Sequence, residues 1–114
     1  MRTKINKKKL ISRNKRFGGA LINKSNLDFA IDSANQEKNI YRSNAKLLRG
    51  IVSGHPFLDG NKRTTIATLT ERFKNENIKC DRKAMTKGVV NIAKNRVVNI
   101  NKIEKRLRRW CKKK

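Results

Sequence analysis

Apolar residues recur at helical spacing along almost the whole chain, and a single proline, Pro56, is the only one in it. Leu27, Ala30, Ile31 and Ala34 form one stripe, and Ala45, Leu48, Ile51 and Val52 the next. Ile66, Leu69 and Phe73 follow, then Met85, Val89, Ile92 and Ala93, and last Ile103, Leu107 and Trp110. A stripe with this period covers one face of a helix, so each helix must bury that face against another. The spacing predicts an all-α chain, a compact bundle of five to six helices with almost no strand.

Caps and breakers set the expected boundaries. A basic helix over 5–16, with Ile5, Leu10 and Ile11 inward, stops at Gly18 and Gly19. Ser25 or Asn26 caps a helix running to about Asn35, and a third runs from Ile40 to Ser53 and is broken by Gly54. The remaining helices are expected over 61–76, over 82–95 with Asp81 as cap, and over 101–112 with Asn99 or Asn101 as cap. Ile78 to Asp81 reads as a short extended link, and Lys112, Lys113 and Lys114 as a frayed end. Gly88 reads as a weak point, about 1 kcal/mol worse than Ala inside a helix. A chain of 114 residues is expected to be one domain, 1–114.

The core must be modest, because only 36% of residues are hydrophobic and 5% aromatic. The net charge is +23, and it is not confined to a tail: residues 1–50 carry 13 Lys/Arg against 3 Asp/Glu, and 51–114 carry 18 against 5. Self-repulsion of this size should make the isolated fold sensitive to salt. Two origins of the charge stay open. It is either a surface for RNA, ribosomes or an acidic partner, or the bias of a Lys- and Asn-rich proteome that does little but solubilise. Cys80 and Cys111 are too far apart for a CxxC pair, and the single histidine cannot complete a zinc set. Two reduced, structural thiols in a cytoplasmic protein are expected. The basic start MRTKINKKKL is followed by no apolar stretch, so neither a signal peptide nor a transmembrane run is expected.

The stretch least like its surroundings is His55-Pro56-Phe57-Leu58-Asp59-Gly60-Asn61-Lys62-Arg63, which holds both the only histidine and the only proline. A helix is expected to begin near Asn61. Its first turn offers unpaired N–H groups and the positive end of the macrodipole, an anion site. Lys62 and Arg63 add two charges there, and Gly60 lets a ligand approach the backbone closely. Asp59 beside bound phosphates suits Mg²⁺, which is usually held by one or two carboxylates together with substrate phosphates. His55, with a reference pKa of about 6.5, can take a proton from a hydroxyl near neutral pH. Together these describe phosphoryl or nucleotidyl transfer to a hydroxyl, a reaction governed by positioning and charge stabilisation. Singly, each residue has a plainer role: a structural histidine, an Asp-Gly turn, two of many cations. Phe57 is expected in the core as the anchor of the loop. Thr64 and Thr65 are expected to act as caps or backbone partners.

The same run resembles the signature of the Fic/Doc family, H-x-F-x-D/E-G-N-G/K-R, with all fixed residues present and no gap. Phe17-Gly18-Gly19 is similar to the Tyr/Phe-Gly-Gly element near the start of Doc-type toxins. The resemblance implies that His55 is the general base and that Asp59 is the Mg²⁺ ligand. It further implies that Gly60, Asn61 and Lys62 form an anion hole and that Arg63 holds further phosphate oxygens of ATP. Family adenylyltransferases typically carry Gly after the Asn and a second Arg three residues after the first. Here Lys62 and Ile66 stand at those positions, as in the Doc branch, whose type member is a kinase presenting the γ-phosphate. The inhibitory S/T-x-x-x-E-G/N pattern is not found: Ser33 to Glu37 has the spacing but Lys38 follows. Restraint is therefore expected from a separate antitoxin chain. Three functions follow in order. The first is a Doc-like toxin kinase acting on a Ser or Thr of a translation factor, with elongation factor Tu favoured. The second is a protein adenylyltransferase. The third is a basic nucleic-acid-binding protein with a vestigial motif.

Overall fold

A computed structural model describes residues 4–114, so the first three residues of the basic start lie outside it. The described residues form six helices: α1 (Lys7–Arg16), α2 (Lys24–Asn35), α3 (Ile40–Gly54), α4 (Asn61–Asn75), α5 (Arg82–Lys94) and α6 (Ile100–Trp110). Two short strands, β1 (Ile78–Cys80) and β2 (Cys111–Lys113), pair antiparallel. The all-α architecture expected from the periodicity is what forms. No helix among the described residues is long and apolar enough to cross a membrane.

Five helices begin at a side-chain cap. Asn6, Asn23, Asn39, Asp81 and Asn99 each accept a backbone N–H from the first turn. Asn23, rather than Ser25 or Asn26, caps α2, because Asn23 is the residue with extended backbone whose side chain reaches the Asn26 N–H at 2.9 Å. α3 lies in the middle of the bundle and packs on α2, α4 and α6. Leu47, Leu48 and Ile51 of α3 are fully buried with Leu27 and Ala30 of α2, Leu69 and Phe73 of α4, and Ile103 and Leu107 of α6. A polar tie crosses the same core. The Arg72 guanidinium donates to Ser43 Oγ at 3.0 Å and to Asn44 Oδ1, and Ser43 Oγ donates to the Ala34 carbonyl at 2.8 Å. It links α4, α3 and α2. On the outer side of α4, Arg13 and Lys9 of α1 pair with Glu71, and Arg13 holds that carboxyl below the usual carboxylate range.

The frayed end and the reduced thiols expected in the C-terminal part are overturned together, while the extended link forms as expected. The link over Ile78 to Cys80 is a strand that finds its partner in the terminal lysines, which do not fray: Ile78 lies opposite Lys113, Lys79 opposite Lys112, and Cys80 opposite Cys111. That register sets the two sulfurs face to face, and they form a disulfide instead of the two reduced thiols expected. The pairing joins segments 31 residues apart, and short polar strands carry no periodic signal that could reveal it. Tyr41 Oη donates to the Cys111 carbonyl at 2.8 Å, which ties the sheet to α3.

Gly88 is also not a weak point. A Cβ placed there would lie 1.9 Å from Cζ2 of Trp110, so the missing side chain is the slot that receives the indole. Helix propensity alone would make Gly88→Ala stabilising by about 1 kcal/mol. Overpacking against a ring reverses the sign, and the expected result is a loss of about 1–3 kcal/mol in urea unfolding.

Candidate active site

The site is built where α3 ends and α4 begins. α3 stops because His55 takes the left-handed conformation, φ 46° and ψ 55°, while its N–H still donates to the Ile51 carbonyl at 3.1 Å. A left-handed residue closes many helices, and it is usually Gly; His is among the few other types enriched there. Asn26 Nδ2 caps the neighbouring Gly54 carbonyl at 2.7 Å. The turn leaves the imidazole exposed at the helix end, outside the core.

The loop that follows is held rigid from both sides. Pro56 and Phe57 are buried, and Phe57 is the anchor expected. The Pro56 carbonyl accepts the N–H groups of Ile22 and Asn23 at 2.8 and 3.0 Å, and the Leu58 N–H donates to the Ala20 carbonyl at 2.8 Å. Leu21 and Phe57 form a β-bridge between the two segments. Asn61 closes the loop from the other end: its Oδ1 accepts the Phe57 N–H at 3.2 Å and its Nδ2 donates to the Phe57 carbonyl at 2.8 Å. The Asn61 side chain is thus committed to the loop, and its contribution to an anion hole reduces to its backbone N–H.

Gly60 is the N-cap of α4 in the left-handed region, φ 74°, and α4 alone among the six described helices has no side-chain cap. The first-turn amides therefore point at solvent with no carboxylate in that turn to neutralise them. Lys62 and Arg63 are exposed on the same turn and make no ion pair among the described residues. The Arg63 guanidinium lies 5.4 Å over the Phe17 ring, which holds its stem while leaving its donors available. Thr65 is the backbone partner expected, its Oγ1 donating to the Asn61 carbonyl at 2.8 Å, whereas the Thr64 hydroxyl neither caps nor bonds the backbone: its Oγ1 accepts from the Asn14 side chain, Nδ2, at 3.1 Å. Ile66 is buried in the core face of α4.

Asp59 is exposed, and one carboxylate oxygen accepts the Gly60 N–H at 2.7 Å. The other has no partner among the described residues. One hard oxygen beside an uncapped helix end fits Mg²⁺ shared with substrate phosphates. No cluster of three His, Cys, Asp or Glu side chains exists among the described residues, so the chain offers no all-protein metal cage.

Sequence reasoning missed Asn14 and Asn26. Asn14 is fully buried, and its Nδ2 donates to the Asp59 carbonyl at 2.9 Å as well as to Thr64. Nothing marks it in the sequence except its place one turn before a Gly-Gly pair. The pair is explained by backbone conformation at Gly18 and by contact at Gly19. Gly18, at φ 81°, ends α1, and a Cβ on Gly19 would sit 2.4 Å from the Asp59 carbonyl oxygen and 2.2 Å from Asn14 Oδ1. The turn lies flat on the backbone of the metal-ligand candidate. Gly19→Ala is expected to destabilise the chain by about 1–3 kcal/mol and to lower transfer activity in the fraction that stays folded, read by urea unfolding beside an ATP-transfer assay.

An exposed imidazole, a carboxylate and an uncapped, doubly cationic helix end lie within nine residues, groups able to take a proton and to hold phosphate oxygens. A sequence profile of the Fic/DOC family matches residues 4–72, which span α1 to α4 with the whole motif. The chain belongs to the Fic/DOC family, whose members generally transfer nucleotide-derived groups to proteins and use ATP, commonly with Mg²⁺. No curated protein and no solved structure matches it. α5, α6 and the sheet lie beyond the matched residues.

Proposed function

We propose that the chain is a Doc-like protein kinase, the toxin of a toxin–antitoxin pair, which transfers the γ-phosphate of ATP to a Ser or Thr of a translation factor. The observation that carries this reading is the exposed His55 imidazole at the end of α3, beside the uncapped first turn of α4. In this reading His55 accepts the proton of the target hydroxyl. The hydroxyl oxygen bonds to the γ-phosphorus as the bond from that phosphorus to its bridging oxygen breaks, and ADP leaves. The amides of Asn61, Lys62 and Arg63 and the two side-chain cations offset the charge on the phosphoryl oxygens and on ADP. Mg²⁺, held by Asp59, would neutralise phosphate charge when bound.

Two residues favour γ-phosphate over AMP transfer. Lys62 fills the space that Gly leaves open in adenylyltransferases, and Ile66, buried in α4, removes a phosphate clamp. The same Ile66 leaves an inhibitory Glu with no Arg to pair, which supports restraint by a separate antitoxin. The test incubates the chain with Mg²⁺, elongation factor Tu and ATP labelled at either the α or the γ position, followed by mass measurement of the target. Transfer of γ label alone is expected. Transfer of α label would mean adenylylation, and an unmodified target would remove elongation factor Tu as substrate.

A further inference from the structure

Carboxylates and cations are distributed differently along this fold. Residues 82–114 carry 13 Lys/Arg and a single carboxylate, Glu104. Glu104 pairs inward with Arg42 of α3 and with Arg108 of its own helix. Asp81, just upstream, is occupied in capping α5. In the first half of the chain most carboxylates tie down local cations: Asp28 pairs with Lys7 and Lys24, Glu37 with Lys46 and Arg42. By contrast Lys83, Lys87 and Lys94 of α5 and Lys102, Lys105 and Arg109 of α6 are exposed and make no ion pair among the described residues. The charge excess of residues 82–114 is thus left largely without carboxylate partners of its own.

Three of these cations, Lys87, Lys94 and Arg109, lie beside an aromatic. Trp110 is half-buried in the slot at Gly88 and borders two shallow basins. Lys87, Lys94 and Arg106 line the first, of about 580 Å³, and Lys79, Lys112 and Lys113 the second, of about 550 Å³, together with the carboxylate of Asp81. Arg109 borders both. Arg106 donates to Asn91 Oδ1 at 3.0 Å and so fixes α6 on α5. No residue of the His55–Arg63 motif lines either basin.

We propose that α5, α6 and β2 form a binding face for single-stranded RNA, with the cations on its phosphates and Trp110 against a base. A cluster of unpaired cations holds a phosphate backbone, and an aromatic among them is how sequence-tolerant strand binding is built. An acidic protein fits less well, because a protein interface needs apolar anchors that can be desolvated. Val90 is the only large apolar side chain exposed on these three elements. The face does not use the transfer site, so either reading can fail without the other.

The test is fluorescence anisotropy of a labelled oligouridylate with the full chain at increasing KCl. If about five phosphates are engaged, affinity falls about 100-fold between roughly 50 and 200 mM salt. The pair Lys87→Glu with Arg109→Glu is expected to weaken binding at least tenfold and to flatten the salt slope. The pair Lys8→Glu with Lys38→Glu makes the same change in net charge on exposed positions elsewhere and is expected to weaken it less than twofold. Thermal melts check folding, and Lys87→Gln with Lys94→Gln replaces the reversal pair if that one unfolds. Equal losses from both pairs would mean a general charge effect and overturn the proposal. So would tighter binding of polyglutamate than of RNA, or no RNA binding at the lowest salt.

Discussion

His55→Asn is expected to leave the fold and ATP binding in place and to cut protein labelling by about 10²–10⁴-fold, the usual contribution of a positioned acid–base group. Asparagine is the informative replacement. His55 sits at φ 46°, where Asn is well tolerated and Ala pays a conformational penalty of about 1–2 kcal/mol. His55→Ala would therefore mix loss of the base with strain at the α3 end, whereas His55→Asn keeps the turn and removes only the proton acceptor. The readouts are γ-label transfer, nucleotide binding by calorimetry and a thermal melt. Retained transfer at near-native rate in a folded His55→Asn chain would exclude an imidazole base.

The second large effect is on stability. Replacing Cys80 with Ser and the buried Cys111 with Ala is expected to lower stability by about 2–4 kcal/mol, the range for removing a native disulfide. The closed segment spans 31 residues and contains α5 and α6. Strands of three residues have little independent stability, so removing the covalent link is expected to loosen β2 on β1 and Tyr41 on the Cys111 carbonyl. For a domain of this size the loss corresponds to a fall in Tm of roughly 10 °C or more. A reductant should reproduce the fall in the unaltered chain and leave the double variant's melt where it was. If reductant does not shift the unaltered chain, the link contributes nothing to stability.

Much of this molecule was legible in its sequence because helices advertise themselves locally. The stripes at Leu27–Ala34 and Ala45–Val52 place their buried residues correctly, as does Met85–Ile92, with Ala93 partly buried beside it; Asp81 caps where expected, and of the two candidates Asn99 and Asn101 it is Asn99 that caps α6. The motif was legible for the same reason, since His55 to Arg63 is one uninterrupted loop and helix start. What escaped were contacts between distant segments. Cys80 meets Cys111 through strand pairing, Gly88 meets Trp110 across two helices, and Asn14 meets Asp59 over 45 positions. None of these partners is marked by its own neighbours. Asn61 was legible as part of the site, but only the structure shows its amide spent on the Phe57 backbone.

The backbone of Asp59 hangs from Asn14 and runs beneath Gly19. A fragment beginning at Ala20 would therefore keep every side chain from His55 to Arg63 and still lose the floor on which the carboxylate rests. Trimming by a protease at this end would convert an intact signature into an idle one, with no change to any residue that a motif search inspects.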